Sequence, residues 1–242
     1  MSTTVLLTAA TEDAAEILKL LQSKNAEPMH LPLERYEPVK DPKDIEETLN
    51  ELSEFENIIH SSLRNARYFM QQVDSYGKIE PVRQRLNLTK DEDTATFLEG
   101  AGVPAVCTYA GGKSINLVEF MLRLRRMGPT LYPCGSHRKE EIPGFLEELD
   151  IPVKELELFD LKGPKDEQLK VYKKELSEKE PEVILFHSRR SVNRTLAAFP
   201  ELDFENVRII SADKGISKKL SEKNIPVDDE GEGTWESIAE KI

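Results

Sequence analysis

Cysteine is nearly absent from this 242-residue chain, which holds only Cys107 and Cys134. The two lie far apart and each follows an apolar stretch. That excludes a disulfide framework and a Cys-x-x-Cys metal pair, and predicts two buried thiols. Histidine is scarce too, and His30, His60, His137 and His187 are not spaced as a metal cluster. No apolar run approaches the roughly 20 residues that cross a bilayer. Met1 to Leu7 has neither the basic start nor the long apolar run of a signal peptide. Positive charge is in deficit, with 33 Lys and Arg against 45 Asp and Glu, a net charge of −12. Such a surface excludes non-specific binding to nucleic acid or to an anionic membrane. A soluble, cytoplasmic protein is expected, and any anionic ligand must meet a local basic patch.

Nucleotide and acyl-transfer signatures are missing as well. Ala110-Gly111-Gly112-Lys113-Ser114 ends like a phosphate-binding loop, but Cys107 stands where the earlier glycine is required. There is no Gly-x-Ser-x-Gly elbow and no Gly-x-Gly-x-x-Gly fingerprint.

What the chain does have is alternation. Apolar, β-branched runs suit strands at Val5–Thr8, Asn57–Ile59, Val82–Leu86, Ala105–Cys107, Thr130–Tyr132, Val183–Phe186 and Val207–Ile210, with shorter ones before Pro164 and after Pro226. Between them lie amphipathic helices. In Glu12 to Lys24, Ala14, Ile17, Leu18 and Leu21 share a face, and in Asn116 to Arg126, Leu117, Val118, Met121 and Leu122 do. Arg123, Arg125 and Arg126 end the latter helix, where they complement its dipole. The pattern predicts an α/β fold of parallel sheets flanked by helices.

The chain also resembles itself. Val5-Leu6-Leu7-Thr8 and the acidic helix after it match Thr130-Leu131-Tyr132-Pro133 and its helix. Glu54 to Ile59, leading to Ser62, matches Glu180 to Leu185, leading to Ser188, at an offset of 126. Phe97-Leu98 through Pro104 matches Lys219-Leu220 through Pro226 at an offset of 122. Two diverged copies of one unit are predicted.

From Val5 onward the chain resembles the uroporphyrinogen-III synthase family. The likeness is carried by Leu6-Leu7-Thr8, Ala26-Glu27-Pro28, Pro32-Leu33 and Glu37-Pro38-Val39, with Ala9-Ala10 in place of the family's Arg-Pro. The family's Thr-Ser step entering a helix is matched by Ser61-Ser62 and by His187-Ser188. Thr94-Ala95 and Gly102-Val103-Pro104 are kept, but Asp91-Glu92 stands for Gly-Pro, and Ile216 replaces a threonine in Asp213-Lys214-Gly215-Ile216. The midpoint fits best, in Pro133-Cys134-Gly135-Ser136, Arg138 and Ile142-Pro143. The resemblance implies two flavodoxin-like or Rossmann-like parallel-sheet domains joined by a two-stranded ladder. Residues 1–35 and 165–242 would form the first and 36–164 the second, with crossings at Pro32 to Val39 and Leu158 to Pro164.

The resemblance further implies a monomeric, cofactor-free hydro-lyase of haem biosynthesis. It would take hydroxymethylbilane, a linear tetrapyrrole with eight carboxylates, remove hydroxide, and close the ring with inversion of the last pyrrole in the cleft between domains. Uncatalysed closure yields the uninverted isomer, so the enzyme's work is largely conformational. Anionic side groups call for donors, and strand ends feeding helices supply N–H groups and a positive dipole. Ser61, Ser62, Thr94, Gly135, Ser136 and Ser188 lie at such junctions, where simple N-capping is the competing role. Arg64, Arg138, Arg189, Arg190 and Lys214 adjoin them. Phe159 stands where the family often has a tyrosine able to assist departure of hydroxide. The catalytic residue is left open, with Thr94 as the best single candidate. A degenerate, two-domain tetrapyrrole- or anion-binding protein of the same fold is the alternative, and Phe159, Ile216 and Asp91-Glu92 favour it.

Overall fold

The computed structural model of the protein describes residues 2–39, 43–108, 113–136 and 141–242. The first half of the chain runs β1 (Thr4–Leu7), α1 (Thr11–Ser23), β2 (Glu27–His30), β3 (Arg35–Pro38), α2 (Lys43–Asn50) and β4 (Asn57–His60). It continues through α3 (Leu63–Ser75), α4 (Ile79–Arg83), β5 (Leu86–Thr89), α5 (Glu92–Gly100), β6 (Ala105–Cys107) and α6 (Ser114–Leu124). The second half opens with β7 (Thr130–Gly135), α7 (Ile142–Glu148), β8 (Val153–Lys162) and α8 (Asp166–Glu178). It ends with β9 (Val183–Phe186), α9 (Arg189–Ala198), β10 (Arg208–Ser211), α10 (Lys214–Ser221), β11 (Asp229–Glu230) and α11 (Trp235–Ala239).

These elements form two compact units, Met1–Tyr36 with Lys162–Ile242, and Glu37–Leu161. The first holds a five-stranded sheet in the order β11-β10-β9-β1-β2, with every neighbouring pair parallel. The second holds a six-stranded sheet, β3-β8-β7-β4-β5-β6, parallel from β8 to β6. β3 lies beside β8 at its edge. The strands β1, β4, β7 and β9 are buried at every residue. Helices cover both faces of such strands, so apolar runs replace alternation there. Val5, Leu6, Ile184, Leu185, Ile209 and Ile210 centre the core of the first unit, packed by Ile17, Leu21, Val192 and Leu220 from the helices. Ile59, Leu88, Tyr132, Cys134, Leu117, Met121 and Leu146 do the same in the second.

The internal repeat survives in the backbone. Thr4 opens β1 and Thr130 opens β7, 126 positions on, and the same offset links Asn57 of β4 to Val183 of β9. Helix endings repeat too. Asn25 after α1 and Asp150 after α7 are both left-handed, with φ of 59° and 55°. The next N–H, of Ala26 or Ile151, returns to the carbonyl of Leu21 or Leu146 at 3.1 and 2.9 Å. Gly102 (φ 80°) and Asn224 (φ 58°) stop α5 and α10 in the same way, with Val103 N–H on Leu98 O and Ile225 N–H on Leu220 O. This is a left-handed cap that satisfies otherwise orphaned carbonyls.

Three expectations need correction. Val82 to Arg85 is not strand. Ile79–Arg83 is helical, Val82 is buried within it, and the strand starts at Leu86. Pro81 is compatible with a first helical turn, where its missing N–H has no helical partner to lose. Cys134 is buried as expected, but Cys107 is partly exposed on β6, the edge strand of its sheet. Arg126 lies beyond α6 and pairs with Glu56 at 2.8 Å, while Arg125 is itself the left-handed cap residue.

Gly102 and Gly100 offer a matched test of the left-handed stop. Gly102→Ala forces a Cβ onto a positive φ, and a loss of about 1 kcal/mol in chemical denaturation is expected. Gly100→Ala, at the end of α5 with open space around the added carbon, is expected to be neutral or slightly stabilising. Equal effects of the two would remove the conformational explanation.

Candidate functional site

Parallel sheets of this kind present ligands to the carboxyl ends of their strands, where each strand turns into a helix. In the second unit, β7, β4 and β5 are neighbours, and their ends carry Gly135-Ser136, Ser61-Ser62 and the start of α5. In the first unit β9 and β10 are neighbours, ending at Ser188 and before Lys214. The expected residues thus gather at two sets of adjacent strand ends, one in each unit. Arg138 and His137, and the Ala110-Gly111-Gly112 stretch, lie outside the described residues.

The junctions are capped in a repeated pattern. Ser62 accepts from Asn65 N–H at 3.3 Å, and Ser188 accepts from Ser191 N–H at 3.0 Å. Asp91 accepts from Thr94 N–H at 2.8 Å, and Asp213 from Ile216 N–H at 2.9 Å. The hydroxyls of Ser62 and Ser188 therefore serve as N-caps. Asp91 is the N-cap of α5, which gives the replacement of Gly-Pro a plain role: a carboxylate at a helix N-terminus. Ser61 is buried, and its hydroxyl accepts from the Asn65 amide at 2.7 Å. Arg64 follows in the first turn of α3 and is half-buried.

Thr94 is fully buried in the first turn of α5, and its hydroxyl has no hydrogen-bond partner among the described residues. An orphaned hydroxyl in that position carries a desolvation cost that folding does not return. Ile216 is the equivalent residue of α10 and is buried without any such cost.

Gly135 and Phe159 are locked together. A Cβ on Gly135 would lie 2.4 Å from the Phe159 ring, so only glycine lets that ring cross the β7 backbone. On its other side Phe159 packs against Tyr68 of α3, with ring centroids 4.6 Å apart. The register of β7 against β8 shifts at this point, bringing Gly135 opposite Phe159. Ser136 donates its hydroxyl to Asp160 Oδ1 at 2.5 Å, an interaction that nothing in the sequence pattern marks.

In the first unit the Arg189 guanidinium lies against Gly215, 2.7 Å from where a Cβ would be. Arg189 and Lys214 are thereby brought to one place, both exposed, at the N-termini of α9 and α10. The first unit also holds a charge cluster that the sequence does not mark. Glu34 is only 5 % exposed, with His187 Nε2 at 3.8 Å and Arg194 Nε at 3.5 Å. Burial alone raises its carboxyl, but His187, Arg194 and Arg190 outweigh this and hold it below the ordinary carboxylate range. The Arg194 guanidinium also donates to the Leu33 carbonyl at 2.7 Å, fixing the chain just before β3.

His60, at the end of β4, is completely buried. Burial pushes its pKa down to about 4, only partly offset by its bond to Asn87 Oδ1 at 3.1 Å. It is a neutral imidazole against the Phe69 ring, with no charge to offer a carboxylate. Among the described residues no group of three or more His, Cys, Asp or Glu could hold a metal ion, and no helix is long and apolar enough to cross a membrane.

Comparison with known proteins gives a consistent result. The family model described as uroporphyrinogen-III synthase HemD matches residues 15–232. Among solved structures, uroporphyrinogen-III synthetase from Helicobacter pylori is similar at a TM-score of 0.67 and 16% identity, covering 100% of this chain and 98% of that one. A mutant uroporphyrinogen III synthase from the extremely thermophilic bacterium Thermus thermophilus is similar at 0.63 and 16%, covering 99% and 97%. At that identity the structures speak for the fold alone. No curated protein matches the chain significantly.

The neutral state of His60 sets a pH window. Its folded pKa of about 4 lies below the ordinary 6.5, so the unfolded chain takes up the proton first as pH falls. Its contribution is intact above 6.5 and is lost as pH falls towards 4, on the order of 3 kcal/mol in all. Unfolding free energies measured across that window for the protein and for His60→Gln should converge at low pH. Parallel curves would contradict a buried neutral imidazole.

Proposed function

The chain belongs to the uroporphyrinogen-III synthase family, and on that premise we propose that it cyclises hydroxymethylbilane to uroporphyrinogen III, with loss of water and inversion of the last pyrrole. The observation that carries this reading is the family match over residues 15–232. Two features of the strand ends support it. Four helices, α3, α5, α9 and α10, start directly after neighbouring parallel strands, directing N–H groups and positive dipole ends to where carboxylates would lie. Arg189 and Lys214 add local positive charge to a chain of net charge −12.

The reaction asks little of any single acid. Protonation of the departing hydroxyl releases water and leaves a reactive azafulvenium. Attack by the substituted carbon of the last pyrrole gives a spiro intermediate, whose rearrangement and loss of a proton close the macrocycle. Holding the chain in the attacking conformation is the main requirement. Phe159 has no proton to give, and Tyr68, packed on its ring, places a phenol beside that position. Ser61, Ser62, Arg64, Thr94, Gly135, Ser136, Arg138, Ser188, Arg189 and Lys214 are the residues we assign to substrate binding. The orphaned hydroxyl of Thr94 supports its place among them, because a buried polar atom without a partner costs stability and calls for another reason to be kept.

A second reading is favoured by one observation. Phe159 is buried between Gly135 and Tyr68, so its ring fills space as a core residue does. A binding protein that keeps the fold without the activity would need nothing more of it.

Purified protein given freshly made hydroxymethylbilane should move the product from isomer I to isomer III without added metal or cofactor, as read by chromatography of the oxidised porphyrins. Thr94→Val removes the orphaned hydroxyl at constant shape. It should raise stability by about 1 kcal/mol while lowering the rate of isomer III formation more than Ser136→Ala does. A product mixture identical to the no-enzyme control would overturn the enzymatic reading in favour of the binding protein.

A further inference from the structure

At the opposite end of the first unit's sheet lies a cavity of about 450 Å³. It opens at the amino ends of β9 and β10, between α8, the end of α9 and the segment 201–207. Its size falls within the range of small-molecule sites. The floor is apolar, formed by Leu176, Phe199, Leu202 and Val207. Phe199 and Leu176 are buried core residues, so the floor is the underside of the hydrophobic core.

The rim has the opposite character. Glu180, Glu182, Glu201 and Asp203 border the opening, against Lys173 as the one cation among the described lining residues. Two of the four carboxylates are fixed in place. Glu182 accepts from the Thr4 N–H at 2.8 Å. Asp203 accepts from the Asn206 amide at 2.6 Å and from Glu205 N–H at 2.9 Å, which hold its carboxyl below the ordinary range. Glu180 and Glu201 are exposed. With four carboxylates against one ammonium, the described lining carries an excess of three negative charges.

An apolar floor beneath an anionic rim is complementary to a ligand with an apolar body and a cationic head. We propose that this cavity binds a small lipophilic amine, with its hydrocarbon on Phe199 and Leu176 and its ammonium among Glu180, Glu201 and Asp203. The polyanionic substrate assigned above is excluded from it by charge. The amine site also lies at the other end of β9 and β10 from Ser188 and Lys214, so its existence does not depend on the synthase reading.

The test uses the full chain and three probes of similar size: phenethylammonium, phenethyl alcohol and phenylacetate. Titration followed by amide chemical shifts locates binding at residues 176, 199 and 207. Phenethylammonium should saturate these shifts, phenethyl alcohol should bind more weakly, and phenylacetate not at all. Glu180→Lys/Glu201→Lys, two exposed reversals away from the core, should weaken phenethylammonium about tenfold or more. Raising ionic strength to about 1 M should weaken it as well. Equal binding of phenylacetate, binding unchanged by the charge reversals, or no saturable shift at those residues would each overturn the proposal. Isomer III formation in the reversed variant should stay at the level of the unaltered protein.

Discussion

Everything in each sheet hangs on one parallel pairing between strands that are remote in sequence. In the first unit it joins β1 to β9, with Val5, Leu6 and Leu7 opposite Val183, Ile184 and Leu185. In the second it joins β7 to β4, with Asn57 opposite Thr130 and Ile58 opposite Leu131. All four strands are buried throughout, so the pairing cannot be replaced by water on either face. It is also where strand order reverses, since β1 is followed in sequence by β2 on one side and β9 lies on the other. Crevices for ligands form at such reversals. The same pairing that completes the core therefore places the strand ends that the proposed chemistry uses.

The two sheets share one plan. Read outward from the reversal, β2-β1-β9-β10-β11 corresponds to β8-β7-β4-β5-β6. Backbone devices were kept across the copies more faithfully than side chains. The left-handed stops at Asn25 and Asp150, and at Gly102 and Asn224, use three residue types for one conformation. The caps at Ser62 and Ser188, and at Asp91 and Asp213, are the same residue in both copies. By contrast, the position three residues beyond the aspartate is Thr94 in one copy and Ile216 in the other. Geometry constrains the cap in both copies, whereas for packing that buried position needs only volume. Ile216 meets the need for volume without a polar cost, whereas Thr94 keeps a hydroxyl that packing alone does not require.

The alternation of strands and helices was legible because parallel strands covered on both faces must be continuously apolar. Val183-Ile184-Leu185-Phe186 is such a run, and it forms β9. The family was legible from scattered turn and junction residues, because the duplicated scaffold repeats them. Val82 misled for a physical reason: it is β-branched and sits four residues before a true strand, but it packs as the buried residue of one short helix turn. Asp91-Glu92 looked like a defect because the sequence shows a lost Gly-Pro and not the N–H that the carboxylate caps. The Glu34 cluster was invisible, since Glu34 is remote in sequence from His187 and Arg194 and a carboxylate is normally exposed. Nothing in the sequence marks His60 as neutral either, and only its burial shows it.

The exchange of strands between halves has a consequence for the order in which the protein can be made. All the strands of the second unit's sheet lie between Arg35 and Lys162, so that sheet can assemble once the middle of the chain has left the ribosome. β1 and β2 emerge before the other strands, yet β1 has no second neighbour until β9 at Val183 follows. At typical elongation rates that wait is roughly ten to forty seconds. During it Val5, Leu6 and Leu7 have an unpaired strand edge, an invitation to wrong partners. A nascent chain of this design is thus most vulnerable at β1, and a cell making it has reason to shelter that strand until β9 arrives.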